Sequence, residues 1–245
     1  MPVRPPSLAR LAAMVMVLAL PAGAAPFPRP EAVGLLAHGI AATLLVPEEP
    51  RGTIILVHDP DGPAPRATPY EDQLLAAGFA VLTILAADVE AETVPRALLA
   101  LTSGAHGPAG PIGLLGFGRG ARLALAPAEG IGARALLYPG CRGLPHVPDD
   151  APLLLLHGSE DAANARPDCE EAAAELARGK RDVRHIVYRG AGYAWDRTHL
   201  GSEAGFLLPR PDRAGAIAAR PWPELGAMSA AEVAGFFSRA LARRD

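Results

Sequence analysis

The chain has 245 residues, half of them hydrophobic, with few aromatics and a formal charge of -3. This suits one globular α/β domain with a core of Leu, Ala, Val and Ile. It excludes nucleic-acid binding through a basic surface, because no block of basic residues is present to replace phosphate counterions.

Residues 1–24 read as a secretory signal peptide. Arg4 and Arg10 give a positive start, Leu11 to Leu20 is apolar, and Ala22-Gly23-Ala24 supplies small residues for cleavage. The alternative is an uncleaved membrane anchor, although the run is short of the roughly 20 apolar residues of a span. Residues 25–245 form the single domain, expected to be periplasmic or secreted and free of the membrane once the signal is removed.

The first strand signal is weak, Ala42 to Val46, and is placed at a sheet edge. Stronger continuous apolar runs follow at Thr53–Val57, Phe79–Ile84, Ile112–Gly116, Ala133–Tyr138, Pro152–Leu156 and Val183–Tyr188. Continuous rather than alternating apolar runs are expected of strands buried on both faces. Helical patterns fall between them at Tyr70–Ala77, Val94–Leu101, Arg119–Ala126 and Asp168–Arg178. A last helix is expected over Ser229–Arg243, with Ser229 and Glu232 at capping-box spacing. Strand–helix alternation of this kind predicts a doubly wound, mostly parallel sheet flanked by helices. Between them, residues 196–228 carry Pro209, Pro211, Pro221 and Pro223 and no clean period, so a long loop is expected there. It is either a lid over a pocket or a plain surface excursion.

Cys141 and Cys169 are the only cysteines. An oxidising compartment permits them to pair, which would stabilise the fold by about 3–4 kcal/mol; the alternative is two separate buried thiols. No His or Cys pair has metal-ligand spacing, so no metal site is expected.

Gly116-Phe117-Gly118-Arg119-Gly120 sits between a predicted strand and a predicted helix. That is the context of a nucleophile elbow, in which the central residue of Gly-x-nucleophile-x-Gly projects from a tight strand-to-helix turn. Both outer glycines are present, but Gly118 offers no atom for attack. The same residues also fit a loose dinucleotide fingerprint, Gly116-x-Gly118-x-x-Ala121. The next strand, however, ends without the acid that would hold a ribose.

The order Thr53–His58, Gly78–Ile84, Gly116–Gly120, Tyr138-Pro139-Gly140-Cys141, Leu153–Asp161 and Gly190–Asp196 resembles the dienelactone hydrolase family over nearly all of the chain after the signal. The resemblance implies an α/β-hydrolase fold, an ester- or lactone-hydrolase ancestry and no cofactor. It places Asp161, in Gly158-Ser159-Glu160-Asp161, in the slot of the triad acid. It places Tyr193, in Gly190-Ala191-Gly192-Tyr193-Ala194-Trp195-Asp196, in the slot of the histidine, and Gly118 in that of the nucleophile. Two of three triad members therefore depart from the family pattern, and an impaired enzyme that binds a small molecule is expected. A competing expectation is an active hydrolase with a relocated base or nucleophile. Candidates bordering the pocket or its oxyanion side are His58, Asp59, Arg119 and His199. Ser159 is near Asp161 in sequence, and Cys141 could serve only if unpaired. His157 ends a strand, and His185 reads as structural. Oligomeric state is not legible.

Overall fold

The computed structural model describes residues 30, 32–60, 62, 65–85, 90–103, 110–147, 149–178, 181–197 and 206–242. The signal-peptide segment and His199 lie outside them.

Eight strands form one sheet: β1 (Val33–Ala37), β2 (Ile40–Leu45), β3 (Gly52–Val57), β4 (Phe79–Ile84), β5 (Ile112–Phe117), β6 (Ile131–Leu137), β7 (Leu153–Gly158) and β8 (Val183–Tyr188). Their spatial order is β1-β2-β4-β3-β5-β6-β7-β8. From β4 through β8 all neighbours are parallel, and β1 and β2 add antiparallel pairings at one edge. Five helices connect or flank them: α1 (Ala67–Ala76), α2 (Thr93–Ser103), α3 (Arg119–Leu123), α4 (Arg166–Leu176) and α5 (Pro223–Ala240).

The continuous apolar runs resolve into two faces by the two-residue period of a strand. On one face Ile54, Leu56, Leu115, Phe117, Leu154 and Leu156 pack with Tyr70 and Leu74 of α1 and Val233 and Phe237 of α5. On the other, Ile55, Val57, Leu114, Leu153 and Leu155 meet Val94 and Ala97 of α2, Ala121 of α3 and Cys169 and Leu176 of α4. A fully buried side chain such as Phe237 contributes about 2–3 kcal/mol by leaving water. Among the described residues no helix is long and apolar enough to cross a membrane.

Three expectations are corrected. The segment around Ala42 is not the sheet edge, because β1 pairs outside it through a two-residue turn. His38 and Gly39 both have positive φ, 52° and 73°, as a tight hairpin of this twist requires. The last helix starts at Pro223, with Pro in its first turn, where a missing N–H costs nothing. Ser229 is therefore inside α5 rather than its cap, and its hydroxyl donates to the Gly226 carbonyl. Finally, the described residues of the 196–228 segment are not a structureless loop. Leu207–Pro209 (β9) and Ala216–Ala218 (β10) pair as an antiparallel hairpin, Tyr193 bridges Ala219, and α5 supplies the end of the segment. The disulfide Cys141–Cys169 is formed and ties the turn after β6 to α4.

Candidate active site

The residues singled out around the triad slots gather at the carboxyl ends of the parallel strands, where doubly wound sheets place their ligands. Asp59 follows β3, Gly118 follows β5, Tyr138 follows β6, Asp161 follows β7 and Tyr193 follows β8. The elbow forms because β5 must turn at once into α3. Gly118 takes φ 53° and ψ -119°, a conformation that side chains of L-residues rarely adopt. Its flanking glycines are required by contact: a Cβ on Gly116 would lie 2.3 Å from the Ala121 Cα, and one on Gly120 2.2 Å from the Val57 carbonyl oxygen. Packing thus accounts for these glycines, and a dinucleotide-binding turn is not needed to explain them.

A Cβ built on Gly118 would lie 2.6 Å from the Tyr193 hydroxyl oxygen and 3.2 Å from Asp59 Oδ2. The Tyr193 hydroxyl therefore stands where the first atoms of a side chain at position 118 would stand. Tyr193 is buried, edge-on to Tyr138 with centroids 5.0 Å apart, and its hydroxyl has no hydrogen-bond partner. The Tyr193 hydroxyl makes no hydrogen bond to Asp161. Burial pushes the phenol well above its ordinary range, with the Asp59 charge adding to the effect, so it stays protonated at neutral pH and cannot accept a proton as a base.

Asp161 is also buried. Its Oδ1 accepts the Ala163 N–H at 2.8 Å, and its Oδ2 accepts Asn164 Nδ2–H at 2.9 Å. Burial raises its pKa to about 6 against the opposing pull of these donors. Asn164 in turn accepts the Gly140 N–H at 2.8 Å, beside the disulfide.

The remaining candidates divide. Asp59 is central: Arg66 grips both its oxygens, at 2.6 and 2.9 Å, and Arg197 reaches Oδ1 at 2.6 Å. His58 is buried with Nδ1 donating to the Asp59 carbonyl at 2.5 Å, and burial lowers its pKa. Arg119 turns away from this interior to Glu90, 3.3 Å distant. Ser159 accepts the Gly190 N–H at an exposed turn, and Cys141 is in the disulfide, so neither stands as a nucleophile at the elbow. His157 and His185 pair with each other, Nε2 to Nε2 at 2.9 Å, on neighbouring strands.

Sequence reasoning missed most of the polar interior. Tyr138 donates to Asp196 at 2.7 Å and accepts from Arg66 at 3.1 Å. Tyr70 lies 2.7 Å from Ser229 Oγ and 3.2 Å from Asp196 Oδ2, and Trp195 Nε1–H donates to Ser229 at 3.0 Å. Formally, Asp59 and Asp196 balance Arg66 and Arg197, so the buried charges are paired, as burial demands. Asp196 ends the quoted Gly190–Asp196 segment and Arg197 follows it, so both could have been found from it. Arg66 stands alone in its stretch of sequence and gave no signal. Among the described residues no group of three His, Cys, Asp or Glu side chains is placed to hold a metal ion.

No protein-family model and no curated protein matches the chain. Solved structures do. The Pyrococcus furiosus esterase Pf2001 is 16% identical, with a TM-score of 0.62 over 88% of this chain and 94% of its own. A dienelactone hydrolase from Anabaena variabilis is 19% identical, with a TM-score of 0.59 over 86% and 97%. A dienelactone hydrolase-like promiscuous phosphotriesterase, P91 from metagenomic libraries, is 17% identical, with a TM-score of 0.67 over 86% and 98%. With the sheet order above, these likenesses show that the chain has the α/β-hydrolase fold found in esterases and dienelactone hydrolases.

Proposed function

We propose that this is an exported dienelactone hydrolase-like protein whose catalytic triad is silenced, and which binds a small molecule where its relatives in fold carry out hydrolysis. In this reading Gly118 holds the nucleophile slot, Tyr193 the histidine slot and Asp161 the acid slot. The single observation that carries it is the 2.6 Å separation between the Tyr193 hydroxyl and the position of a Cβ on Gly118. The two substitutions are coupled by space: the tyrosine fits because the elbow carries no side chain.

Acyl transfer needs an activated nucleophile and a base that accepts its proton. Glycine cannot bond to a carbonyl carbon, and a buried neutral phenol donates a hydrogen bond but does not take up a proton. What persists beside Asp161 is the elbow backbone, whose oxyanion stabilisation and binding support at most a residual enhancement of about 10³–10⁴-fold over water. The β9–β10 hairpin covers the site in this reading. Pro211 supports that role, because it lies 3.0 Å from a Cβ built on Gly140, in the turn that follows Tyr138.

The test is the variant Gly118→Ser/Tyr193→His. It supplies the missing oxygen and imidazole and removes the phenol that blocks the serine. Esterase turnover at least about 100-fold above the parent is expected, since general base catalysis alone contributes that much. It should be abolished again by Asp161→Ala. A folded double variant with only the parent's rate would overturn the assignment of the slots.

A further inference from the structure

Beside the elbow, α3 and the tip of the β9–β10 hairpin flank an open surface cavity of about 360 Å³, lined by Glu90, Arg119, Arg122, Pro211, Asp212 and Arg213 among others. Among the described lining residues its charge is unbalanced. Asp212 is already held by Arg210, through Nε and Nη2 at 3.2 Å each. That leaves Glu90 as the only other carboxylate among the described lining residues, facing three guanidinium groups. Arg122 spends its donors on the carbonyls of Gly140, Arg142 and Gly143 and contributes charge rather than free N–H groups. Arg119 and Arg213 both turn to Glu90, which bridges them loosely. Its Oε1 is 3.3 Å from Arg119 and its Oε2 4.0 Å from Arg213. Charge-assisted bonds of this type close to about 2.7–2.9 Å when they are well made. The Glu90 side chain is also 66% exposed, so little holds it in place.

The hairpin tip adds a second observation. Arg213 has φ 62°, a left-handed conformation that costs a residue with a side chain about 1–2 kcal/mol and that glycine adopts freely. The turn keeps it there through Arg213 N–H to the Arg210 carbonyl at 3.0 Å and Arg210 N–H to the Gly215 carbonyl at 2.9 Å. An arginine at such a position, lining a cavity whose described residues carry excess positive charge, is the kind of outlier from which a functional role is inferred.

We propose that this cavity binds a doubly charged tetrahedral oxyanion, as carried by a small phosphate monoester, clamped between Arg119 and Arg213 in the place now taken by the Glu90 carboxylate. Guanidinium forks match oxyanions in geometry, and the charge excess favours a dianion over a monoanion. Because Arg119, Arg213 and Glu90 stand outside the three triad slots, the proposal holds whether or not the elbow is silent.

Calorimetric titration of the full mature protein with inorganic phosphate and with phenyl phosphate, at pH 8 and constant ionic strength, tests it, with acetate as the monoanion control. Phosphate and phenyl phosphate should bind at about 1 mM or tighter, and acetate at least about tenfold more weakly. Glu90→Gln should tighten phosphate binding about fivefold by removing an internal competitor worth what an exposed pair is worth. Arg119→Gln and Arg213→Gln should each weaken it about tenfold or more, the loss expected for one charge-assisted contact. Three results would overturn the proposal: acetate binding as tightly as phosphate, no phosphate binding by either the parent or Glu90→Gln at about 10 mM, or both arginine variants binding as the parent does.

Discussion

Substituting Gly118→Ala in the parent adds one methyl group at a point where two costs meet. The backbone at φ 53° and ψ -119° penalises any Cβ by about 1–3 kcal/mol. The new methyl would also stand 2.6 Å from the Tyr193 hydroxyl and 3.2 Å from Asp59 Oδ2, and overpacking of this kind costs about 1–3 kcal/mol more. The single variant should therefore lose about 2–6 kcal/mol, the sum of these ranges. In a Tyr193→Phe background the 2.6 Å contact is gone and mainly the backbone cost remains. Tyr193→Phe alone deletes a buried hydroxyl with no partner, so it should be neutral or stabilising by up to about 1 kcal/mol. Urea denaturation of the four proteins closes a double-mutant cycle, and the coupling should be about 1–3 kcal/mol in the rescuing sense. A coupling within about 0.5 kcal/mol of zero, the scatter of independent sites, would refute the steric link between the two positions.

Three further outcomes follow from the same structure. Asp161 has its pKa raised to about 6 and His157 has its own lowered to about 4, both by burial. As pH falls from about 6.5 to 4, folding takes up a proton at Asp161 and gains stability. Folding excludes a proton at His157 and loses stability over the same window, each effect having a ceiling of about 3 kcal/mol. The two largely cancel in the parent, so Asp161→Ala should make the urea midpoint drop more steeply over that window; an unchanged pH slope would count against the raised carboxyl. Ser229→Ala removes the acceptor of the buried Trp195 Nε1–H and a partner of Tyr70 and should cost about 1–3 kcal/mol by thermal or urea unfolding, whereas a surface-like loss below about 0.5 kcal/mol would contradict the network. Thiol titration under denaturing conditions should find no free cysteine in protein made in an oxidising compartment. The variant Cys141→Ser/Cys169→Ser should lose about 3–4 kcal/mol, and reactive thiols in the parent would speak against the disulfide.

The sheet was legible where the chemistry of burial is written in continuous apolar runs, as at Ile54–Val57 and Leu153–Leu156, because both faces of those strands are covered. β1 was not, although the pair His38-Gly39 between two short apolar runs is a hairpin turn signal. α5 was placed too late because Ser229 looks like a cap in one dimension. In three dimensions its hydroxyl serves Trp195 and Tyr70 inside the core, and Pro223 with Glu224 carries the true start. The elbow could be read from Gly116 and Gly120, since close approach of the backbone leaves a glycine signature. The charged interior could not. Burial of Arg66 depends on Asp59 from β3 and Tyr138 from β6 arriving together, and no local pattern encodes that meeting. Nor does the sequence show that the Tyr193 ring fills the space Gly118 leaves, because that depends on how the turn after β8 folds over the elbow.

The most direct measurement is the rate of p-nitrophenyl acetate and simple lactone hydrolysis by residues 25–245 beside their Asp161→Ala variant. If Gly118 and Tyr193 fill the nucleophile and histidine slots as proposed, the two should give equal rates, at most about 10³–10⁴-fold above water. Turnover by the parent more than about tenfold above the variant, a difference of about 1.4 kcal/mol in the barrier, would mean that a working triad exists and that Gly118 and Tyr193 are not its silenced members.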